Sequence, residues 1–198
     1  MSNRLTESFF SRDTVQIARE LIGKRLVRLE GDQRISGIIL ETEAYRGEED
    51  QACHCRAGRT PRTEIMYGPP GRVYIYLIYG MYWLLNLVTE AEGSPGAVLI
   101  RAIAPEEGKK VIHQRRGKTP EKAWTDGPGK ICIALGINGE LNGLNACAQG
   151  APIFIENGQD VDSALIKTGP RVGLDSVPEP WRSKPWRFVV NYQHLLNR

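Results

Sequence analysis

Apolar side chains recur at helical spacing at Val15, Ala18, Leu21 and Ile22, between the capping residues Ser11, Arg12 and Asp13 and the stop at Gly23. That spacing predicts a first helix with a polar start and a glycine end. Residues 24–30 and 33–44 alternate as strands around the turn residues Gly31 and Asp32, which predicts a hairpin with Glu43 at the end of its longer strand. Residues 46–72 are rich in Gly, Pro and Arg and predict a long loop, which in a compact domain usually carries function. From Val73 to Thr89 no charged residue occurs. The run falls short of the ~20 residues a membrane-spanning helix needs. Its tyrosines, Gly80 and Asn86 instead predict a second hairpin with Tyr79, Gly80 and Met81 at the tip. Further on, residues 96–104 predict a strand ended by Pro105, and residues 106–116 a helix. The segment from Asp126 to Lys130 predicts another helix, opened by a cap and an early proline and closed by Gly136. Strands are expected near residues 152–156 and from Trp186 to Tyr192. Paired hairpins with scattered helices predict an α+β fold around an antiparallel sheet.

Composition narrows the class. A chain of 198 residues is one ordinary domain, expected to span residues 1–198. With 41% hydrophobic and 25% charged residues it is neither disordered, collagenous nor a disulfide scaffold. The opening residues lack an apolar run followed by a small-residue cleavage site, so the expected location is cytoplasmic, in association with the nucleoid. The net charge of +3 decides nothing as a total. Its distribution says more: Lys109, Lys110, Arg115, Arg116, Lys118, Lys122 and Lys130 crowd one segment against only Glu121 and Asp126. Arg182, Lys184, Arg187 and Arg198 occupy a C-terminal stretch without any acid, whereas Glu41, Glu43, Glu48, Glu49 and Asp50 form an acidic island. Solvated surface charge is the default for each run alone. Four cysteines are present, and Cys53-His54-Cys55 invites a zinc reading. Structural zinc sites need wider spacing and four ligands, so free thiols and no metal are expected.

Candidate chemistry begins at Glu41, Glu43 and Tyr45, which share one face of a regular strand. Paired carboxylates resemble a hydrolytic acid and base; an exposed polar strand face is the ordinary alternative. Tyr74 and Tyr76 share a face and suit core packing with satisfied hydroxyls. Tyr79 and Met81 at a hairpin tip are exposed apolar groups, and wedging between stacked bases is one use for them. Arg101, inside an apolar strand, needs a carboxylate or phosphate partner, either as a structural pair or within a site. The Gly127-Pro128-Gly129-Lys130 helix start offers free N–H groups to a phosphate but lacks the P-loop pattern.

Glu41 to Tyr45, Glu49-Asp50 followed by Ala52 and His54, Arg59 to Arg62, Tyr74 to Tyr82 with Asn86, Leu99 to Ala102 and Arg171 to Gly173 form one series of motifs. In that series the chain resembles the alkyladenine (3-methyladenine) DNA glycosylases. These motifs span about residues 14–190 in the family's order. The resemblance implies a curved antiparallel sheet surrounded by helices, with a protruding hairpin that enters DNA. It implies monofunctional base-excision repair, with hydrolysis of the N-glycosidic bond of alkylated purines flipped from duplex DNA. On this resemblance Glu43 is the general base, and Arg101 and the Val172 carbonyl hold the attacking water. Tyr45, His54 and Tyr76 enclose the base, the backbone at Ala52 and His54 reads its edge, and Asn86 screens against the guanine amino group. Tyr79, with Met81 beside it, fills the gap in the duplex, and Arg62 and Lys130 are candidate backbone contacts. The implied partner is double-stranded DNA with alkylated or deaminated purines, bound by a monomer without cofactor, as in the compact bacterial form. The departures are Cys53 and Cys55, where the family usually has small residues beside the pocket histidine. Glu41 carries no implied catalytic role.

The chemistry agrees with that reading. A purine alkylated at N3 or N7 is cationic, leaves readily and binds aromatic faces by cation–π attraction. A base, a positioned water and a negative charge near the sugar then suffice. Extrusion of the base is required because the duplex buries the target bond. Two alternatives remain open: a non-catalytic nucleic-acid-binding module using only the basic segments, and a nucleosidase or glycoside hydrolase using Glu41 with Glu43. The glycosylase reading further expects both basic segments to flank the Tyr79 tip and the acidic island to face inward.

Overall fold

The computed structural model describes residues 3–191 and residue 193. A short helix α1 (Glu7–Phe10) precedes α2 (Thr14–Glu20), whose N-cap Asp13 accepts hydrogen bonds from the Val15 and Gln16 amides. Strands β1 (Arg25–Glu30) and β2 (Gln33–Arg46) form the expected hairpin, and β3 (Val73–Ile78) and β4 (Tyr82–Val88) the second. They are followed by β5 (Gly96–Glu107), α3 (Lys109–Arg116), α4 (Pro128–Leu135), β6 (Ile153–Glu156), β7 (Lys167–Gly169) and β8 (Arg187–Val189). All strands join one antiparallel sheet of eight, ordered β3-β4-β5-β2-β1-β6, with β8 on β2 and β7 on β8. The fold is α+β.

Strand β2 organises the molecule. One edge pairs with β5 along most of its length; the other is shared, with β1 on residues 33–38 and β8 on residues 41–43. Register shifts at Ser36/Gly37 and on both sides of Glu41 mark bulges, which re-aim side chains near a site. Gly37 permits a close crossing, since a Cβ there would lie 2.6 Å from the Ala104 carbonyl oxygen. Ile17, Leu21, Leu26, Ile38, Ile39, Leu85 and Ile100 fill the core between α2, α4 and the sheet.

Several boundaries differ from the sequence expectations. The strand expected to end at Pro105 continues to Glu107, because Pro105 pairs with Gly37 at a bulge where its missing N–H costs no ladder bond. Glu106 and Glu107 are therefore strand residues held by Arg25 and Arg34, and the helix begins only at Lys109. Asp126 is not a helix cap: Gly127 occupies that position without a side-chain bond, and Asp126 pairs with Lys130 Nζ at 2.7 Å. The final strand is Arg187–Val189; Tyr192 and Arg198 lie outside the described residues. The loop 46–72 contains two 3-10 turns, His54–Ala57 and Glu64–Tyr67. It buries a cluster of its own, in which Cys53, Cys55, Met66 and Tyr67 pack on Tyr74, Val88 and Ala97.

Candidate active site

The site forms where β2, β5, β3, the loop 46–72 and the segment around Val172 converge on one cavity of about 660 Å³. Three of its lining residues, Tyr45, Arg101 and Val172, hold Glu43, whose side chain is 0% exposed. Glu43 Oε1 accepts the Val172 N–H at 2.7 Å, and Oε2 accepts the Tyr45 hydroxyl at 2.8 Å and Arg101 Nη1 at 3.3 Å. A carboxylate offers about four acceptor positions, so these three bonds leave one on Oε1. Burial drives the Glu43 pKa upward, and Arg101, the Val172 amide and Tyr45 pull it back. Desolvation wins, leaving a carboxyl pKa above the ordinary range, the condition of a working base. Burial and the Glu43 charge hold the Tyr45 phenol well above its usual pKa, so it remains a donor.

Arg101 is fixed from the other side. Its Nε donates to Glu41 Oε1 at 2.9 Å, the oxygen that also accepts Arg187 Nε at 2.7 Å. Glu41 is thus committed to two cations, which argues against its pairing with Glu43 as a glycosidase acid.

Aromatic groups wall the cavity. The His54 and Tyr76 rings sit 4.5 Å apart at 75°, and His54 Nδ1 shares a 2.9 Å hydrogen bond with the buried Tyr74 hydroxyl. Burial, aided by Arg62 and Arg56, lowers the His54 pKa to about 4, so the imidazole is neutral at physiological pH. Arg62 lies over the Tyr76 ring, 5.4 Å from its centroid, and its Nη2 approaches His54 Nε2 at 3.4 Å. Arg62 is therefore at the cavity mouth. Asn86 is 3% exposed, lines the cavity and spends its amide on the Tyr74 carbonyl at 3.0 Å. Ala52 also lines it, with its N–H given to Asp50, which leaves the carbonyl as its free edge.

Beside the cavity stands the β3–β4 tip. Tyr79 is 84% and Met81 64% exposed, and Tyr79 holds φ +53°, a conformation that disfavours bulky side chains. Gly129 lets the start of α4 close onto this hairpin, since a Cβ there would lie 3.1 Å from Tyr82 Cβ. Lys130, Arg116 and the 127–129 backbone consequently border the same cavity.

The charge map is only partly as expected. Arg116 and Lys130 reach the cavity, Lys130 while paired with Asp126, but Lys109 pairs with Glu121, Arg115 with Glu30, Arg182 with Glu179 and Arg187 with Glu41. In the acid-free C-terminal stretch Arg182 takes its acid from just upstream and Arg187 from β2. Within the acidic island Glu43 and Asp50 are buried, whereas Glu48 and Glu49 are exposed.

A buried ion pair escaped the residue-type reading. Asp50 receives Arg171 Nη1 and Nη2 at 2.5 and 2.9 Å, both side chains 0% exposed, and Arg171 also donates to the Ala44 and Trp181 carbonyls. This pair ties the loop 46–72 to the segment carrying Val172. Both residues stand in motifs shared with the resembled family, yet no local pattern links groups 121 positions apart. Among the described residues no cluster of three His, Cys, Asp or Glu could hold a metal ion, and no helix is long and apolar enough to cross a membrane.

Comparison with known proteins adds a family. Residues 8–194 match the model described as Methylpurine-DNA glycosylase (MPG). A protein of Desulfitobacterium hafniense (strain Y51) is 44% identical over 196 residues, covering 94% of this chain and 95% of its own. One from Methanocella arvoryzae is 46% identical over 185 residues, covering 93% and 90%, and one from Myxococcus xanthus is 44% identical over 194 residues, covering 98% and 93%. All three bear the name "Putative 3-methyladenine DNA glycosylase".

Proposed function

The chain belongs to the methylpurine-DNA glycosylase family, and on that premise we propose that it excises alkylated purines such as 3-methyladenine from duplex DNA, by water attack and without a covalent enzyme intermediate. The observation that carries this reading is the single remaining acceptor position on a buried carboxylate held by three residues that line an aromatic cavity. In the proposed reaction a water occupies that position on Glu43 Oε1 and attacks C1′ of the sugar while the purine departs. Glu43 takes the water's proton and, as an anion, stabilises the oxocarbenium-like sugar. Arg101 keeps Glu43 ionised, and the Val172 N–H orients it. The Val172 carbonyl is the proposed second acceptor for the water.

The flipped base is proposed to lie between Tyr45 and the Tyr76–His54 pair. A cationic purine gains from aromatic faces, and a neutral His54 adds no repelling charge. Asn86, pinned by its bond to Tyr74, narrows the cavity where a guanine 2-amino group would project. The Ala52 carbonyl and the His54 backbone are proposed to read the base edge. Tyr79 and Met81 would enter the stack, while Lys130 and Arg62 take phosphates beside the cavity. The protein is expected to act as a monomer in the nucleoid. The test is chromatography of bases released from single-lesion duplexes carrying 3-methyladenine, 7-methylguanine, hypoxanthine or ethenoadenine. Free purine together with an alkali-labile abasic site supports the reading; strand binding without any released base would favour a binding module instead.

A further inference from the structure

Two thiols flank the pocket histidine. Cys53 and Cys55 are both free and buried, and their Sγ atoms lie 2.6 Å apart, closer than two non-bonded sulfurs rest. Cys53 lines the cavity, so a small solute entering the base pocket comes up against this residue. Cys55 lies behind it and donates its S–H to the Gly47 carbonyl at 3.0 Å. Between them stands His54, whose ring contacts both Tyr76 and Tyr74. The backbone thus holds two thiols together at one wall of the proposed base pocket.

We propose that Cys53 and Cys55 are a reversible oxidation site, in which a disulfide between them withdraws the His54 wall and slows base release. The effect on base release rests on the glycosylase reading; the disulfide itself does not. With hydrogen peroxide as oxidant, the Cys53 sulfur displaces water to become a sulfenic acid. The Cys55 sulfur then attacks it: the S–S bond forms, the S–O bond breaks, and hydroxide leaves with the Cys55 proton as a second water. Two thiols are oxidised and one peroxide is reduced to two waters. A dithiol reverses the change by exchange.

The hydrogen bond to Cys55 and burial raise the Cys53 thiol far above its ordinary pKa, so Cys53 rests protonated and the first step is slow. The second step is fast because the resolving sulfur is already in contact, and this protects Cys53 from further oxidation. Bonding consumes the Cys55 S–H, strips the Gly47 carbonyl of its donor and closes a small ring through the His54 backbone. A misplacement of about 1 Å in a positioned group costs about a hundredfold in rate. A partial shift of His54 is therefore expected to slow base release about tenfold.

The experiment treats the full-length protein with hydrogen peroxide, then measures intact mass, maps peptides under non-reducing conditions and assays 3-methyladenine release before and after dithiothreitol. The expected result is loss of two hydrogens, a disulfide mapped to Cys53 and Cys55, about tenfold slower release, and recovery on reduction. Cys55→Ser, and Cys55→Ala should the serine variant fail to fold, is expected to show no loss of two hydrogens, no mapped disulfide and a reversible loss well below that of the native protein, relative to its own untreated rate. Survival of both thiols, a mapped disulfide with an unchanged rate, or an equal reversible loss in the Cys55 variants would overturn the proposal. If the reduced protein releases no base at all, the glycosylase reading fails, while mass and mapping still decide whether the disulfide forms.

Discussion

Replacing Asp50 by Asn removes one charge from an ion pair that solvent does not reach. In the native protein Arg171 Nη1 donates to Asp50 and the Ala44 carbonyl, and Nη2 to Asp50 and the Trp181 carbonyl. The Asn side chain turns an amide toward the guanidinium and leaves Arg171 buried without a counter-charge. Removing one partner of such a pair costs about 3–5 kcal/mol. For a domain of this size about 1 kcal/mol moves Tm by about 2–4 °C, so a drop of roughly 6–20 °C is expected. Activity should fall as well, since Val172 follows Arg171 in the chain and its N–H orients Glu43. The assay is thermal and urea unfolding of Asp50→Asn, Arg171→Met and the double variant. The double variant buries no unpaired charge, so its loss should be smaller than the sum of the singles by about 2 kcal/mol or more, near the upper range for contacting residues. A loss below about 1 kcal/mol for Asp50→Asn, or additive singles, would refute the claim that this pair clamps the site.

The remaining predictions address function against stability. Tyr79→Gly relieves a left-handed backbone, so fold stability should hold within about 1 kcal/mol or rise, while loss of one stacking contact weakens lesion-DNA binding by about 1–3 kcal/mol in a fluorescence-anisotropy titration; unchanged affinity would remove Tyr79 from the interface. The rate of base release should fall on the acid side with a midpoint above the ordinary carboxylate range, because the Glu43 pKa is raised by burial. A midpoint at or below an ordinary glutamate value would contradict that environment. Lys130→Ala should reduce the slope of log K against log salt by about 1 if Lys130 neutralises one phosphate, and an unchanged slope would place it off the DNA.

Much of this arrangement was legible in the sequence because it depends on local pattern. The alternation over residues 33–44 and 73–88 carries both hairpins, and the Tyr79 tip follows from the residues that separate two apolar runs. Strand periodicity likewise puts Glu43 and Tyr45 on one face, and the structure joins them directly. What stayed hidden depends on long-range pairing. Pro105 continues β5 because a bulge on β2 faces it, and nothing local to Pro105 announces that bulge. Asp126 looks like a cap yet pairs with Lys130, and the basic C-terminal residues look free while Arg187 shares Glu41 with Arg101. The Asp50–Arg171 clamp is the same problem in the site itself: charge pairing across the fold leaves no mark on the spacing around either residue.

Glu43→Gln tests the central claim most directly. The substitution keeps the shape and an acceptor for the Val172 N–H but removes the proton acceptor, and Arg101 retains Glu41. Because the folded pKa of Glu43 is raised, its stabilising contribution is present below the unfolded value and lost as pH rises through the folded one. At neutral pH the glutamine protein should therefore melt no lower than wild type. Release of 3-methyladenine from a single-lesion duplex should drop by at least about a hundredfold, in line with loss of a general base, while affinity for the lesion duplex stays within about threefold. A folded Glu43→Gln protein that releases base at the wild-type rate would contradict the account.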